Sequence, residues 1–123
     1  MDAPTRLGLA RRAELAVVEF LTGKGFQIVA TNLRIGYLEL DIVARRGSLV
    51  VVVEVRTRGA RSWTSAHGSV LGPKRRRLRL AAARLWKRRY ARDPTVDRLR
   101  LDVAAVHFRD GGVFVDYCVA AFN

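Results

Sequence analysis

Hydrophobic positions recur along the chain with two periods. From about Thr5 to Lys24, Leu7, Ala10, Val17, Val18 and Leu21 fall at helical spacing and Gly23 and Gly25 supply a stop, which predicts a first helix. Three strands are predicted next, over Phe26 to Leu33 with weak alternation, Tyr37 to Ala44, and Leu49 to Thr57. Leu49 to Val53 is the most apolar run, and its β-branched composition predicts a central strand buried on both faces. Gly72-Pro73 opens a second helix, because proline is tolerated in the first helical turn. Leu78, Ala82, Leu85 and Trp86 form its inward face, and Asp93-Pro94 marks its end. Arg98 to Phe108 and Val113 to Ala121 read as two closing strands around the hairpin signal Asp110-Gly111-Gly112. The order αβββαββ predicts one α/β domain over residues 1–123, a mixed five-stranded sheet flanked by helices.

The candidate chemistry hangs from Leu38 to Arg58, two strands joined at Arg45-Arg46-Gly47-Ser48. Alternation along an extended strand puts Glu39 and Asp41 on one face and Leu38, Leu40 and Ile42 on the other. Glu54 and Arg56 share a face on the next strand, so the hairpin offers to gather Glu39, Asp41 and Glu54. Clustered carboxylates repel and are costly to desolvate, so such a group calls for a cation, either a divalent metal or a neighbouring arginine. In the first helix Glu14 interrupts the apolar stripe. It reads either as a boundary glutamate paired with Arg11 or Arg34, or as a member of the site.

Charge adds a second constraint. The formal net charge is +12 and comes almost wholly from arginine, the lysines being Lys24, Lys74 and Lys87. Such a balance predicts a polyanionic partner, nucleic acid before an acidic membrane surface. The second helix concentrates it, from Lys74, Arg75, Arg76 and Arg79 to Arg89, as a phosphate-contacting surface or else as a heavily solvated face. Between the third strand and this helix lies a Gly- and Ser-rich stretch, Arg58 to Gly72, whose length predicts a binding loop; its His67 reads as solvated rather than catalytic. The lone Cys118 excludes an internal disulfide and a multi-cysteine zinc site, which fits a cytoplasmic setting. No signal peptide or membrane-spanning run is apparent. Asp102, flanked by Leu101 and Val103, is expected either to pair with an arginine or to lie near the site.

A helix with an inward Glu, a strand ending in acidic-x-Asp and a following strand with Glu-x-basic resemble the PD-(D/E)xK nuclease superfamily, whose fold is restriction-endonuclease-like. More closely, the chain resembles the YraN-type family of small bacterial proteins. The matching pieces are Glu14, Gly36-Tyr37-Leu38-Glu39-Leu40-Asp41, Val53-Glu54-Val55-Arg56-Thr57-Arg58, Pro73-Lys74-Arg75-Arg76 and Leu101-Asp102-Val103, nearly the whole chain. The resemblance implies that Asp41, Glu54 and the backbone carbonyl of Val55 bind Mg²⁺ or Mn²⁺, that Glu14 contributes directly or through water, and that Arg56 takes the place of the superfamily lysine. Arginine stays protonated and cannot accept a proton from an attacking water, though it can hold a phosphate. Lys74 is the alternative amine. The proline of the superfamily name is replaced by Leu40.

Three functions follow from these residues. The first is a metal-dependent endonuclease acting on branched or flapped DNA. The second is a non-catalytic DNA- or RNA-binding protein in which arginines neutralise the carboxylates. The third is an assembly factor on structured RNA, for which only the basic helix matters. DNA is favoured over RNA and no membrane partner is expected. Small junction-cutting enzymes of the superfamily act as homodimers, which makes a homodimer a possible assembly.

Overall fold

The computed structural model describes residues 5–58 and 72–121. Trp63 and His67 lie outside them, as does most of the predicted binding loop. The elements are α1 (Arg6–Gly23), β1 (Gln27–Ile35), β2 (Leu38–Arg46), β3 (Leu49–Arg58), α2 (Gly72–Leu85), β4 (Arg98–Arg109) and β5 (Gly112–Cys118). The strands form one sheet in the order β1-β2-β3-β4-β5. Neighbours run antiparallel except β3 and β4, which are parallel and connected through α2. This mixed sheet with helices on both faces is the restriction-endonuclease-like architecture.

The sheet separates two apolar layers. On one face Leu78, Ala81, Ala82 and Leu85 of α2 pack with Val50 and Val52 of β3 and Val103 and Ala105 of β4. On the other, Ala13, Val17 and Leu21 of α1 cover Val51, Val53, Ala104 and Val106. Every residue from Val50 to Val53 is buried, because β3 is central and has a helix above and below it. No helix among the described residues is long and apolar enough to cross a membrane.

Three details depart from the periodicity. The buried stripe of α1 is Ala13, Val17 and Leu21, whereas Leu7 is 64% exposed and Ala10 is also exposed. The first turns of α1 border a cleft rather than the packed sheet, so apolar residues there have little to bury against. The α-helical part of α2 ends at Leu85 and passes into a π-helical turn, Trp86–Tyr90, in which Ala91 N–H donates to the Trp86 carbonyl at 2.8 Å. The chain then turns at Asp93, whose Oδ1 accepts from Thr95 N at 2.9 Å.

The third departure concerns the site. Strict alternation puts Leu38, Leu40 and Ile42 on one face, yet Leu38 and Leu40 pack in the layer under α2 and Ile42 in the layer under α1. The change of face falls at Asp41. Between the pairs Thr31↔Ile42 and Leu33↔Leu40 lie Asn32 and Asp41, and Asn32 is held at φ +52. Asparagine tolerates this left-handed conformation better than most residues, and one such residue inside a strand re-aims everything after it.

Candidate functional site

At the same rung β2 leaves β3. Their register runs from Arg46↔Leu49 to Ile42↔Val53, one step short of facing Asp41 with Glu54. Asp41 supplies the next bond with its side chain, Oδ2 accepting from Val55 N–H at 2.8 Å. The carboxyl thus takes the place of a backbone acceptor where the strands diverge, and the divergence opens space beside it. That space is a cleft of about 450 Å³ lined by Leu7, Ala10, Arg11, Glu14, Asn32, Glu39, Asp41, Val55 and Thr57.

Glu54 lies next to Asp41, and the two carboxyl groups are hydrogen-bonded to one another. Burial first, and then the charge and hydrogen bond of Glu54, push the Asp41 carboxyl from 3.8 up to about 7; Val55 N–H and Lys74 pull the other way. Glu54 itself is only 4% exposed. It is met by Lys74 Nζ at 2.6 Å from Oε1 and by Arg56 Nη1 at 3.6 Å from the same atom. Lys74 stands in the first turn of α2, which contains no acidic residue. A cation there is opposed by the helix dipole, so the Glu54 contact is what holds it in place.

The other predicted positions are distributed around this pair. Glu14 is half-buried on the opposite wall of the cleft, where Asn32 Nδ2 donates to both of its oxygens at 3.1 and 3.2 Å. Its partner is therefore an amide and not Arg11 or Arg34. Arg34 lies across the β1–β2 ladder from Glu39 with their charged groups 4.0 Å apart, so Glu39 borders the cleft without joining the Asp41–Glu54 contact. Among the described residues no three His, Cys, Asp or Glu side chains gather as a metal cluster. Arg76 and Arg79 are exposed on α2, and Arg75 is half-buried.

Asp102 has a separate role. It pairs with Val53 in the β3–β4 register, which puts it on the face opposite Glu54. Fully buried, it accepts from Arg100 Nε at 2.9 Å, Arg100 Nη2 at 3.0 Å, Tyr117 Oη at 2.6 Å and Ala120 N at 2.8 Å. The arginine expected for it is Arg100, two residues earlier on the same strand. Burial and the Asp102 charge both hold the Tyr117 phenol well above its usual range. This network fastens the end of β5 to β4.

Asn32 is the residue whose part sequence reasoning missed. It kinks β1 and holds Glu14, and the signal available was an asparagine within a run otherwise suited to a strand.

The model of the family described as "Uncharacterised protein family UPF0102" matches residues 13–106, from within α1 through most of β4. A UPF0102 protein of Sorangium cellulosum is 46% identical over 121 residues, covering 98% of this chain and 84% of its own. A UPF0102 protein of Parafrankia is 36% identical over 123 residues, covering 99% of this chain and all of its own. Another, from Anaeromyxobacter dehalogenans, is 34% identical over 122 residues, covering 99% and 89%. With the family model spanning residues 13–106 and these relatives covering 98–99% of the chain at 34–46% identity, the chain belongs to the UPF0102 family, the YraN-type family.

Proposed function

We propose that this chain is a metal-dependent endonuclease acting on structured DNA, with phosphodiester hydrolysis at Asp41 and Glu54. The observation that carries the reading is the meeting of these two carboxyl groups at the foot of an arginine-rich helix, with a lysine ammonium 2.6 Å from one of them.

The donor set suits Mg²⁺ or Mn²⁺ in kind. Two carboxyl groups forced together, one of them holding its proton up to about pH 7, are short of positive charge that a divalent cation can replace. All the available donors are hard oxygens: Asp41, Glu54 and the backbone carbonyl of Val55. Mg²⁺ is commonly held by one or two carboxylates, with water and substrate phosphate completing its shell. Bound there, a divalent cation supplies the charge that stabilises a phosphoryl transition state and acidifies water. Glu14, across the cleft and held by Asn32, would accept a hydrogen bond from such a water.

The chain's own cations divide the remaining work. Arg56 is permanently charged and holds a phosphate oxygen without exchanging protons. Lys74 is the amine of the site, and an ammonium can release and regain a proton as arginine cannot. The lysine that the superfamily carries on the strand is thus supplied here from the helix. Arg76 and Arg79, exposed on that helix, contact the DNA backbone and provide the salt-sensitive part of the affinity.

A second reading has its own support. Lys74 and Arg56 already neutralise Glu54, which is how a DNA- or RNA-binding protein without turnover would keep its carboxylates. One experiment separates the two. Wild type and Asp41→Ala are incubated with flapped, branched and duplex DNA in Mg²⁺ and in Mn²⁺. Cleavage by wild type alone supports the nuclease; equal background from both proteins, with binding retained, supports the second reading.

A further inference from the structure

The turn between β1 and β2 consists of two residues. Gly36 takes the left-handed conformation, φ +64, and leaves Tyr37 at the tip. Tyr37 is 77% exposed, a large aromatic ring kept in water. The other tyrosines and phenylalanines among the described residues are differently placed. Phe20 and Tyr117 stack on one another, His107 lies against Phe114, and Phe26, Tyr90 and Phe108 each lie under an arginine. Among the described residues nothing stacks on Tyr37.

Below the ring lies a second cleft, of about 350 Å³, walled by Tyr37 and Glu39 on the hairpin and by Lys74, Arg77 and Ala81 on α2. The guanidinium of Arg84 sits beside the same turn, 3.6 Å from where a Cβ on Gly36 would be. This cleft adjoins the acidic pair. Lys74 is a wall of it and also touches Glu54, while Glu39 lines both it and the Asp41 cleft.

We infer that the Tyr37 cleft takes one unstacked nucleobase from a single-stranded segment of DNA, next to the phosphate held at the acidic pair. The inference rests on the proposed function and adds what distinguishes the substrate. A base inside a duplex has both faces covered and cannot offer one to Tyr37, whereas a flap or a gap can. Stacking on an aromatic ring is indifferent to base identity, because every base has a π-face, and it needs a cation nearby for the backbone. Arg77 provides that cation, and its guanidinium can also lie flat against a base.

The test uses the full chain and three fluorescent probes of equal length: a duplex, a duplex with a single-stranded flap, and a single strand. Tyr37→Ala and Tyr37→Phe are compared with wild type at one ionic strength, and 2-aminopurine is placed in the flap beside the junction. Tyr37 is exposed at a turn, so both variants keep the fold. The expected result is an about tenfold loss of affinity of Tyr37→Ala for the flap and the single strand, with duplex affinity unchanged. Wild type and Tyr37→Phe quench the 2-aminopurine and Tyr37→Ala does not. Equal affinities of wild type and Tyr37→Ala, or the same loss on all three probes, would overturn the inference while leaving DNA binding intact. A wild-type protein that binds none of the probes would overturn the proposed function and the inference with it.

Discussion

Lys74 reaches from the first turn of α2 to 2.6 Å from Glu54 Oε1, spanning from helix to sheet across the edge of the apolar layer beneath α2. Two substitutions separate its charge from its proton. Lys74→Met leaves the buried Glu54 with Arg56 as its remaining cationic partner and should lower stability by about 1–3 kcal/mol, read from urea midpoints. Lys74→Arg keeps the charge and is expected to preserve most of the stability. If Lys74 handles a proton, Lys74→Arg should still cut turnover by about a hundredfold or more while DNA affinity changes little. Full turnover by Lys74→Arg would remove the amine from the mechanism.

Asp41 links stability to pH. Its folded-state value of about 7 lies above the ordinary 3.8, so the folded protein holds a proton that the unfolded chain releases. The stabilisation is fully present below 3.8 and is lost as pH rises through about 7. In the absence of divalent cations the urea midpoint should therefore fall between pH 5 and 7, with this group contributing about 1 kcal/mol per pH unit. Asp41→Asn should flatten that slope and be more stable than wild type at pH 8.

A divalent cation competes for the place of that proton. Added Mn²⁺ should raise the melting temperature of wild type more at pH 8 than at pH 6, and should leave Asp41→Asn and Glu54→Gln unchanged. The check is a thermal melt with and without Mn²⁺ for the three proteins. An identical shift in all of them would place the cation elsewhere.

Asp102 is predicted to matter for folding and not for chemistry. Asp102→Ala leaves Arg100 and the Tyr117 hydroxyl without their shared acceptor and should cost about 3–5 kcal/mol in urea denaturation. Any DNA affinity, measured per folded molecule, should be unaltered.

The exposed arginines predict a salt response. In plots of log affinity against log salt, Arg76→Gln and Arg79→Gln should each make the slope shallower by about 1, with similar losses on duplex and flapped probes. This contrasts with Tyr37→Ala, whose effect depends on the form of the DNA.

Much of this arrangement is legible in the residues. The unbroken run Leu49 to Val53 announces a central strand, the Arg-Arg-Gly-Ser turn announces its hairpin, and the inward face of α2 follows from spacing. Periodicity failed where a side chain replaces a backbone group. Asp41 bonds Val55 N–H and the strand changes face there, which no two-residue period describes. It failed again at Leu7 and Ala10, because apolar spacing records what a helix can bury and not whether the sheet extends beneath it. The partner of Glu14 is not legible from charge, because an uncharged residue, Asn32, both shapes the strand and supplies the donor. The end of α2 escaped because a π-helical turn leaves the composition helical to Tyr90.

The parallel pairing of β3 with β4 bears on how the molecule assembles. The β1–β3 meander closes short loops and can form early, bringing Asp41 and Glu54 together, whereas β4 must wait until the whole crossover, α2 included, has swung across. Lys74 arrives only with that crossover, so a half-folded chain holds two crowded acids without their lysine. The acidic pair gains its lysine from the segment that joins β3 to β4, so the contact ties completion of the sheet to neutralisation of the site.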